Sequence, residues 1–184
     1  INSLDGFNGT MYFIPGNHEW YNNGLRGVKR QEEYLRETSN GKELLQPSNG
    51  CPLTSVSVSE TVQLIMIDSQ WYLEDWNANP DINEYCEIKT REKFLIELEL
   101  EFEKNQNKTI LFTMHHTMFT NGTHGGYFAL EKHLYITQKK IPLPVLSSLV
   151  TQIRAQGGVS IQDRYNERYN NFMVKLGSLA KKYG

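Results

Sequence analysis

The sequence has no long hydrophobic run. None of its apolar stretches approaches the roughly 18 residues that a membrane-spanning helix requires, and we recognise no secretory leader in its 184 residues. We therefore expect no membrane segment in this chain. The chain begins with Ile1 instead of Met, and we interpret it as a mature product or as a piece of something longer.

The sequence also lacks an excess of either charge. Its 19 basic and 21 acidic residues leave a formal net charge of −2. Because binding through phosphate neutralisation needs a basic surface, we expect no nucleic-acid-binding surface. The hydrophobic fraction of 39% and the aromatic fraction of 11% are those of a globular chain. The length suits one core, so we expect residues 1–184 to form a single domain.

Cysteine is scarce. Cys51 and Cys86 are the two in the sequence, and two thiols alone are too few for a structural zinc site. They can form one disulfide or remain two unpaired thiols, and the residues themselves favour neither.

The sequence does contain an alternation of strand and helix patterns, which predicts an α/β fold. Apolar runs predict buried strands at residues 11–14, 62–67 and 109–114, and the alternation at 55–58 predicts a hairpin partner for the second. Apolar residues at helical spacing predict helices at 25–36, 91–104, 145–155 and 165–183. Residues 71–85 are predicted to form an irregular loop.

Polar clusters follow three of the predicted strands. The 16–19 turn, Gly-Asn-His-Glu, follows the first strand, Asp68 the second, and His115 and His116 the third. The sheet holds such turns rigid while their side chains face a crevice, which favours a functional site. The alternatives are a polar surface turn and, for one histidine, a hydrogen-bonded core residue. For Asp68 we favour a cap on the next turn over a ligand.

The histidines concentrate in two of these loops. Four of the five lie there, and His133 stands alone in a polar stretch that favours a surface position. The four are His18, His115, His116 and His124. Imidazole, amide oxygen and carboxylate groups together suit zinc, iron or manganese.

These residues resemble a known family. The Gly-Asn-His-Glu string, the strand ending at His115, and His124-Gly125 nine residues further on resemble the calcineurin-like metallophosphoesterases, including the purple acid phosphatase branch. The Asp-Ser-Gln-Trp string after the middle strand and the His-rich loop are similar to a bacterial subgroup with this domain. The resemblance runs from about residue 10 to the C-terminus, and it implies a layered β-sandwich flanked by helices.

The resemblance implies a role for each matching residue. Asn17, through its amide oxygen, and His115 would bind the same metal ion. His18 would contact the phosphate and protonate the leaving group, and His124 would bind the substrate phosphate. His116 has no counterpart role. Two metal ions, drawn from iron, zinc and manganese, would activate water to hydrolyse a phosphoester. Relatives of this type are often exported, which would suit a disulfide between the two cysteines.

The sequence also departs from the family pattern. Thr117 stands where the family usually has Pro after the His pair. The Asp-containing motifs that precede the Asn-His string, and the closing Gly-His-x-His, have no match in the sequence. We therefore expect the chain to be the central part of a catalytic domain, incomplete at both ends and inactive alone.

Two other functions are open to these residues. In a non-catalytic carbohydrate- or peptide-binding module, aromatic loops with Trp20, Trp71, Tyr72 and Trp76 would line a groove. A zinc peptidase is disfavoured, because His18-Glu19 is followed by Asn22 where a His-Glu-x-x-His helix needs histidine. The kind of phosphoester, the metals and the oligomeric state stay open.

Overall fold

The computed structural model describes residues 7–135, 141–157 and 159–183, in which the fold is mixed α/β. The α-helices and strands of these residues are, in chain order, α1 (Asn17–Tyr21), α2 (Leu25–Thr38), β1 (Leu53–Ser57), β2 (Val62–Ile67), α3 (Ser69–Leu73), α4 (Arg91–Lys104), β3 (Thr109–Thr113), α5 (Leu130–Leu134), α6 (Pro144–Ala155) and α7 (Glu167–Tyr183).

The chain divides into two compact units. The first contains Ile1–His116 with Tyr183–Gly184, and the second contains Thr117–Lys182. The single domain expected for residues 1–184 stays a prediction.

A three-stranded sheet forms the centre of the first unit. Its order is β1-β2-β3, with β1 antiparallel and β3 parallel to β2. The predicted hairpin is confirmed, and Ile65, Met66 and Ile67 of β2 are buried. The prediction that β3 is buried is wrong. In the described part of the chain β3 pairs on one side only, and Leu111 is 48% exposed.

The strand predicted at residues 11–14 is reduced to one bridge. Phe13 pairs with Leu45 in parallel, through hydrogen bonds from Phe13 N to Leu44 O and from Gln46 N to Phe13 O. The next rung would need an N–H donor two residues after Phe13, and that residue is Pro15. The ladder therefore stops after a single pair.

Helices α2 and α4 pack apolar side chains into the first unit. Helix α4 begins where predicted, because the Thr90 hydroxyl accepts a hydrogen bond from Lys93 N. It buries Phe94, Leu98 and Phe102, which lie on one face at helical spacing. Helix α2 continues two residues past its predicted end at residue 36.

The loop predicted at residues 71–85 begins inside a helix. Helix α3 is a short turn whose residues are all buried, Trp71 and Leu73 among them. Asp68 caps its N-terminus, as the sequence predicted. The capping carboxylate and the burial of these side chains make the segment helical.

A disulfide joins Cys51 to Cys86 within the first unit. Of the two alternatives that the sequence leaves open for the cysteines, the structure therefore has the disulfide. None of the helices in residues 7–135, 141–157 and 159–183 is long and apolar enough to cross a membrane.

The second unit contains α5, α6 and most of α7. Helix α7 buries Tyr169, Phe172, Met173 and Leu176, as its spacing predicts. Helix α6 agrees with its predicted range to within one residue, and α5 lies in a stretch read from the sequence only as polar. The rest of that stretch, residues 136–140, lies outside the described residues.

Helix α6 buries polar residues and exposes apolar ones. Ser147 and Thr151 are its buried residues, and Ser147 Oγ has no hydrogen-bond partner. Val145, Leu146 and Leu149 are exposed. The apolar face of α6 is therefore largely uncovered in the described part of the chain.

Candidate functional site

The two predicted metal ligands lie in contact. Asn17 is the first residue of α1, and His115 follows the end of β3. Asn17 Oδ1 and His115 Nε2 are 3.1 Å apart, although 98 positions separate the residues in sequence. In the structure as it stands, this distance is that of a hydrogen bond from Nε2–H to the amide oxygen.

Gly16 makes room for the His115 imidazole. A Cβ at this buried position would lie 2.8 Å from both Cε1 and Nδ1 of the ring. The ring therefore packs directly on the backbone of the 16–19 turn, and any side chain at this position would displace it. This close approach requires glycine at position 16.

Glu19 stabilises the turn itself. Its Oε2 accepts a hydrogen bond of 2.8 Å from Gly16 N, which is one half of a capping box at the start of α1. The carboxylate is therefore engaged with the backbone that presents Asn17. This role explains why the acidic residue stands three positions after the glycine.

Trp20 anchors the turn to the sheet through Asp68. Its indole Nε1 donates a hydrogen bond of 2.7 Å to Asp68 Oδ2, and both residues are buried. The other oxygen, Oδ1, accepts a 3.0 Å bond from Trp71 N. Asp68 is thus the expected cap and also a link between α1 and α3. Sequence reasoning missed this link, because no spacing rule connects residues 48 positions apart.

Burial raises the pKa of Asp68 to about 7. Three hydrogen bonds oppose this rise in pKa, from the Trp71 backbone, the Trp20 indole and the Gln70 backbone. The Glu19 carboxylate adds a smaller upward shift. The loss of hydration outweighs the hydrogen bonds because the carboxyl group is completely enclosed.

His116 is a core residue. It is buried, and its Nδ1 lies 2.8 Å from Ser69 Oγ, which also accepts a 3.1 Å bond from His116 N. Its ring stands at 89° to that of His115. The hydrogen-bonded core alternative considered for one histidine of the pair therefore applies to His116. The Ser69 contact joins the residues that follow β2 to those that follow β3.

His115 has a lowered pKa. Loss of hydration where the ring meets its surroundings is the main cause, and the nearby His18 adds to the lowering. The Glu19 carboxylate acts in the opposite direction. The imidazole is consequently held neutral at physiological pH, which is the form that binds metals.

His18, the predicted proton donor, is exposed on α1. Its ring centroid is 5.8 Å from that of Tyr21, and the Tyr21 hydroxyl accepts a 3.3 Å bond from Asn17 Nδ2. The structure therefore places Asn17, His18 and His115 together at one end of the sheet.

His124 lies in the second unit. Its Nδ1 is 3.2 Å from Oδ1 of the buried Asp163. Arg154 binds the same carboxylate through Nε at 3.1 Å and Nη2 at 2.8 Å. No sequence signal links Asp163 or Arg154 to His124, so both were missed.

The aromatic residues considered for a binding groove are largely internal. Trp20, Trp71 and Tyr72 are buried, and Trp76 packs edge-on against Trp71 with Arg91 over its ring. Side chains packed in this way leave little aromatic surface for a sugar or a peptide. They give the binding-module alternative no support.

Within residues 7–135, 141–157 and 159–183, no group of three or more His, Cys, Asp or Glu side chains is placed to hold a metal ion. A scan against protein-family models and searches of curated proteins and of solved structures found no match to this chain.

Proposed function

We propose that the chain contributes one side of the active centre of a metal-dependent phosphoester hydrolase. Asn17 and His115 would bind one metal ion, His18 would be the proton donor, and His124 would bind the substrate phosphate. The observation that carries the proposal is the 3.1 Å approach of Asn17 Oδ1 to His115 Nε2. In the structure as it stands the two atoms are joined by a hydrogen bond, and a shared metal ion would replace that bond.

The two side chains fit a shared metal ion. Two atoms that each bind an ion at about 2.1 Å, at cis-octahedral to tetrahedral angles, lie roughly 3.0–3.4 Å apart. The separation of 3.1 Å is within that range. The lowered pKa of His115 also keeps the imidazole free of a second proton, and a metal ion at Nε2 would take the place of the proton that this nitrogen donates to Asn17 Oδ1. Two neutral ligands bind a metal weakly, so the carboxylates that complete the set would come from outside the described residues.

The residues of this chain would have separate roles in phosphoester hydrolysis. When bound, the metals would supply an activated water and neutralise phosphoryl charge. His18 would give its proton to the leaving-group oxygen, and the Gly16–Glu19 hydrogen bond would hold the turn that carries it. The buried Trp20–Asp68 bond would fix α1 against the sheet. In this proposal the three-stranded sheet is part of a layered β-sandwich, and the disulfide suits an exported protein.

The proton-donor role is tested by His18→Ala in the longer protein that we infer. Loss of the general acid should lower kcat by about 10²–10⁴-fold while metal content stays the same. Hydrolysis of a chromogenic phosphoester and elemental analysis measure the two quantities. An unchanged kcat would remove His18 from the mechanism. The 184-residue chain alone should be inactive, since its described residues contain no group of three or more His, Cys, Asp or Glu side chains placed to hold a metal ion.

The ligand pair is tested in this chain by Gly16→Ala. The added methyl would meet the His115 ring and separate it from Asn17. When the chain is titrated with Mn²⁺ and followed by NMR, the His115 ring signals of the wild type should broaden before those of the other histidines. In Gly16→Ala the His115 signals should no longer broaden first.

Gly177→Ala is the matched control for this experiment. Its Cβ would meet nothing closer than 3.6 Å, so the preference for His115 should persist. His133 supplies an internal reference within each spectrum. Equal broadening of His115 and His133 in the wild type would contradict the ligand assignment.

A further inference from the structure

The second unit contains a chain of three charged or ionisable side chains that is organised around one buried carboxylate. Asp163 is 1% exposed, and Arg154 donates two hydrogen bonds to its carboxylate in a bidentate arrangement. His124 approaches the Oδ1 atom of the same carboxylate with Nδ1. The hydrogen bonds that Arg154 donates to Asp163 raise the pKa of Arg154, so the guanidinium keeps its charge.

The neighbours of His124 fix its backbone as well. Arg164 N donates a 2.6 Å hydrogen bond to His124 O. The next residue, Gly125, is buried, and a Cβ there would lie 2.2 Å from Thr120 O. These contacts anchor the backbone of His124, and the Asp163 contact anchors one of its ring nitrogens.

The carboxylate determines which nitrogen of the neutral ring carries the proton. An ionised carboxylate only accepts hydrogen bonds, so the Nδ1 that faces it must be the donor. In neutral His124 the other nitrogen, Nε2, is then unprotonated. The His124 side chain is 56% exposed, and among the described residues Nε2 has no hydrogen-bond partner.

We propose that Asp163 is the positioning residue of His124, and that it presents Nε2 to solvent as an acceptor for an O–H group of a bound ligand. A protonated phosphate oxygen is such a group, and this choice of ligand rests on the proposed function. The assignment of Asp163 rests on the geometry alone. The arrangement matches that of general-base histidines, in which a carboxylate orients the imidazole through one nitrogen and the other nitrogen accepts a proton.

The tautomer of His124 tests the inference directly. Long-range ¹H–¹⁵N correlation spectra of the ¹⁵N-labelled chain distinguish Nδ1–H from Nε2–H in a neutral imidazole. They would be recorded about two pH units above the ordinary imidazole pKa. The wild type should show Nδ1–H at His124. Asp163→Ala should shift the equilibrium toward Nε2–H, and Asp163→Asn, which keeps an acceptor oxygen, should shift it less.

His133 is the control for folding of the second unit. Its Nδ1 contacts Thr151 Oγ1, so its signals report whether α5 and α6 remain packed. An Nε2–H tautomer in the wild type would overturn the inference, and this measurement needs no variant to fold. An unchanged His124 spectrum in Asp163→Ala with unchanged His133 signals would overturn it too. The tautomer is measured without metal or substrate. A failure of this inference can therefore be distinguished from a failure of the phosphoesterase proposal.

Discussion

Asp68 holds a carboxyl group where no water reaches it. It is completely buried, and its two oxygens accept hydrogen bonds from Trp20 and from the start of α3. These hydrogen bonds favour the charged carboxylate, but the loss of hydration on burial penalises the charge more strongly. The residue therefore links the 16–19 turn to the sheet while making the first unit sensitive to pH.

We expect the first unit to lose stability as the pH rises from about 4 to about 7. The folded-state pKa of Asp68 is raised from 3.8 to about 7, so across this window the folded chain holds a proton that the unfolded chain has released. The stability that this group contributes is thus fully present below its pKa in the unfolded chain. It is lost as the pH rises through its pKa in the folded chain. The difference is on the order of 4 kcal/mol at most. Urea titrations at several pH values, followed by circular dichroism, measure it.

Asp68→Asn is the matched control for this pH dependence. The amide has the same shape and keeps one acceptor oxygen, but it does not titrate. The variant should lose most of the slope between these pH values. A slope identical to that of the wild type would show that another group is responsible.

At the scale of single elements, side-chain caps mark where helices begin. The Thr90 hydroxyl accepts from Lys93 N at 3.0 Å, the Asp68 carboxylate accepts from Trp71 N, and the Glu19 carboxylate reaches back to Gly16. Each cap satisfies an N–H that the first helical turn leaves without a backbone partner. The Asp68 cap was predicted, because Asp before a turn or a helix favours this position.

Thr90→Ala should destabilise the first unit by about 1 kcal/mol, because Lys93 N loses its acceptor. Thr90→Ser keeps a hydroxyl at the same position and should retain most of the stability. Guanidinium denaturation of the two variants and the wild type measures the difference. Equal losses in both variants would show that the methyl group, and not the hydroxyl, stabilises the start of α4.

Element prediction succeeded where local pattern and tertiary packing agree. Helix α4 combines a cap with one apolar face, and the β1–β2 hairpin combines alternation with an apolar run. It failed at residues 11–14, where proline removes a rung of the ladder, and at β3, whose apolar residues are partly exposed. Neither the missing donor nor the missing neighbour strand is encoded in apolar periodicity.

At the scale of the whole molecule, the disulfide constrains the unfolded chain. It links residues separated by 35 positions, and closing a loop of that size in the unfolded state corresponds to about 4 kcal/mol. Reduction should therefore lower the denaturant midpoint of the first unit. Tryptophan fluorescence follows this unit specifically, because Trp20, Trp71 and Trp76 all lie in it.

Two measurements check this result. The intact mass should rise by the two hydrogens of one disulfide on reduction, and a Cys51→Ala/Cys86→Ala variant should match the reduced wild type without responding to reductant. An unchanged midpoint on reduction would mean that the bridge adds nothing to stability.

The candidate site was partly predictable. Strand-end reasoning marked the 16–19 turn and His115 as candidate site residues, the resemblance paired Asn17 with His115, and the structure brings these two side chains into contact. The supporting pairs Trp20–Asp68 and His124–Asp163 could not be predicted. They depend on how distant side chains pack, and no local period or motif specifies that packing.

The contact between Asn17 and His115 also has a consequence for biosynthesis. The ribosome makes the chain from its N-terminus, and His115 is added 98 residues after Asn17. A nascent chain therefore carries the residues of the 16–19 turn long before their histidine partner leaves the exit tunnel. Contacts of such long range also slow folding, because a large loop must close before they stabilise the fold. The amide and the imidazole thus meet only after the intervening residues, which include all three strands of the sheet, have been translated.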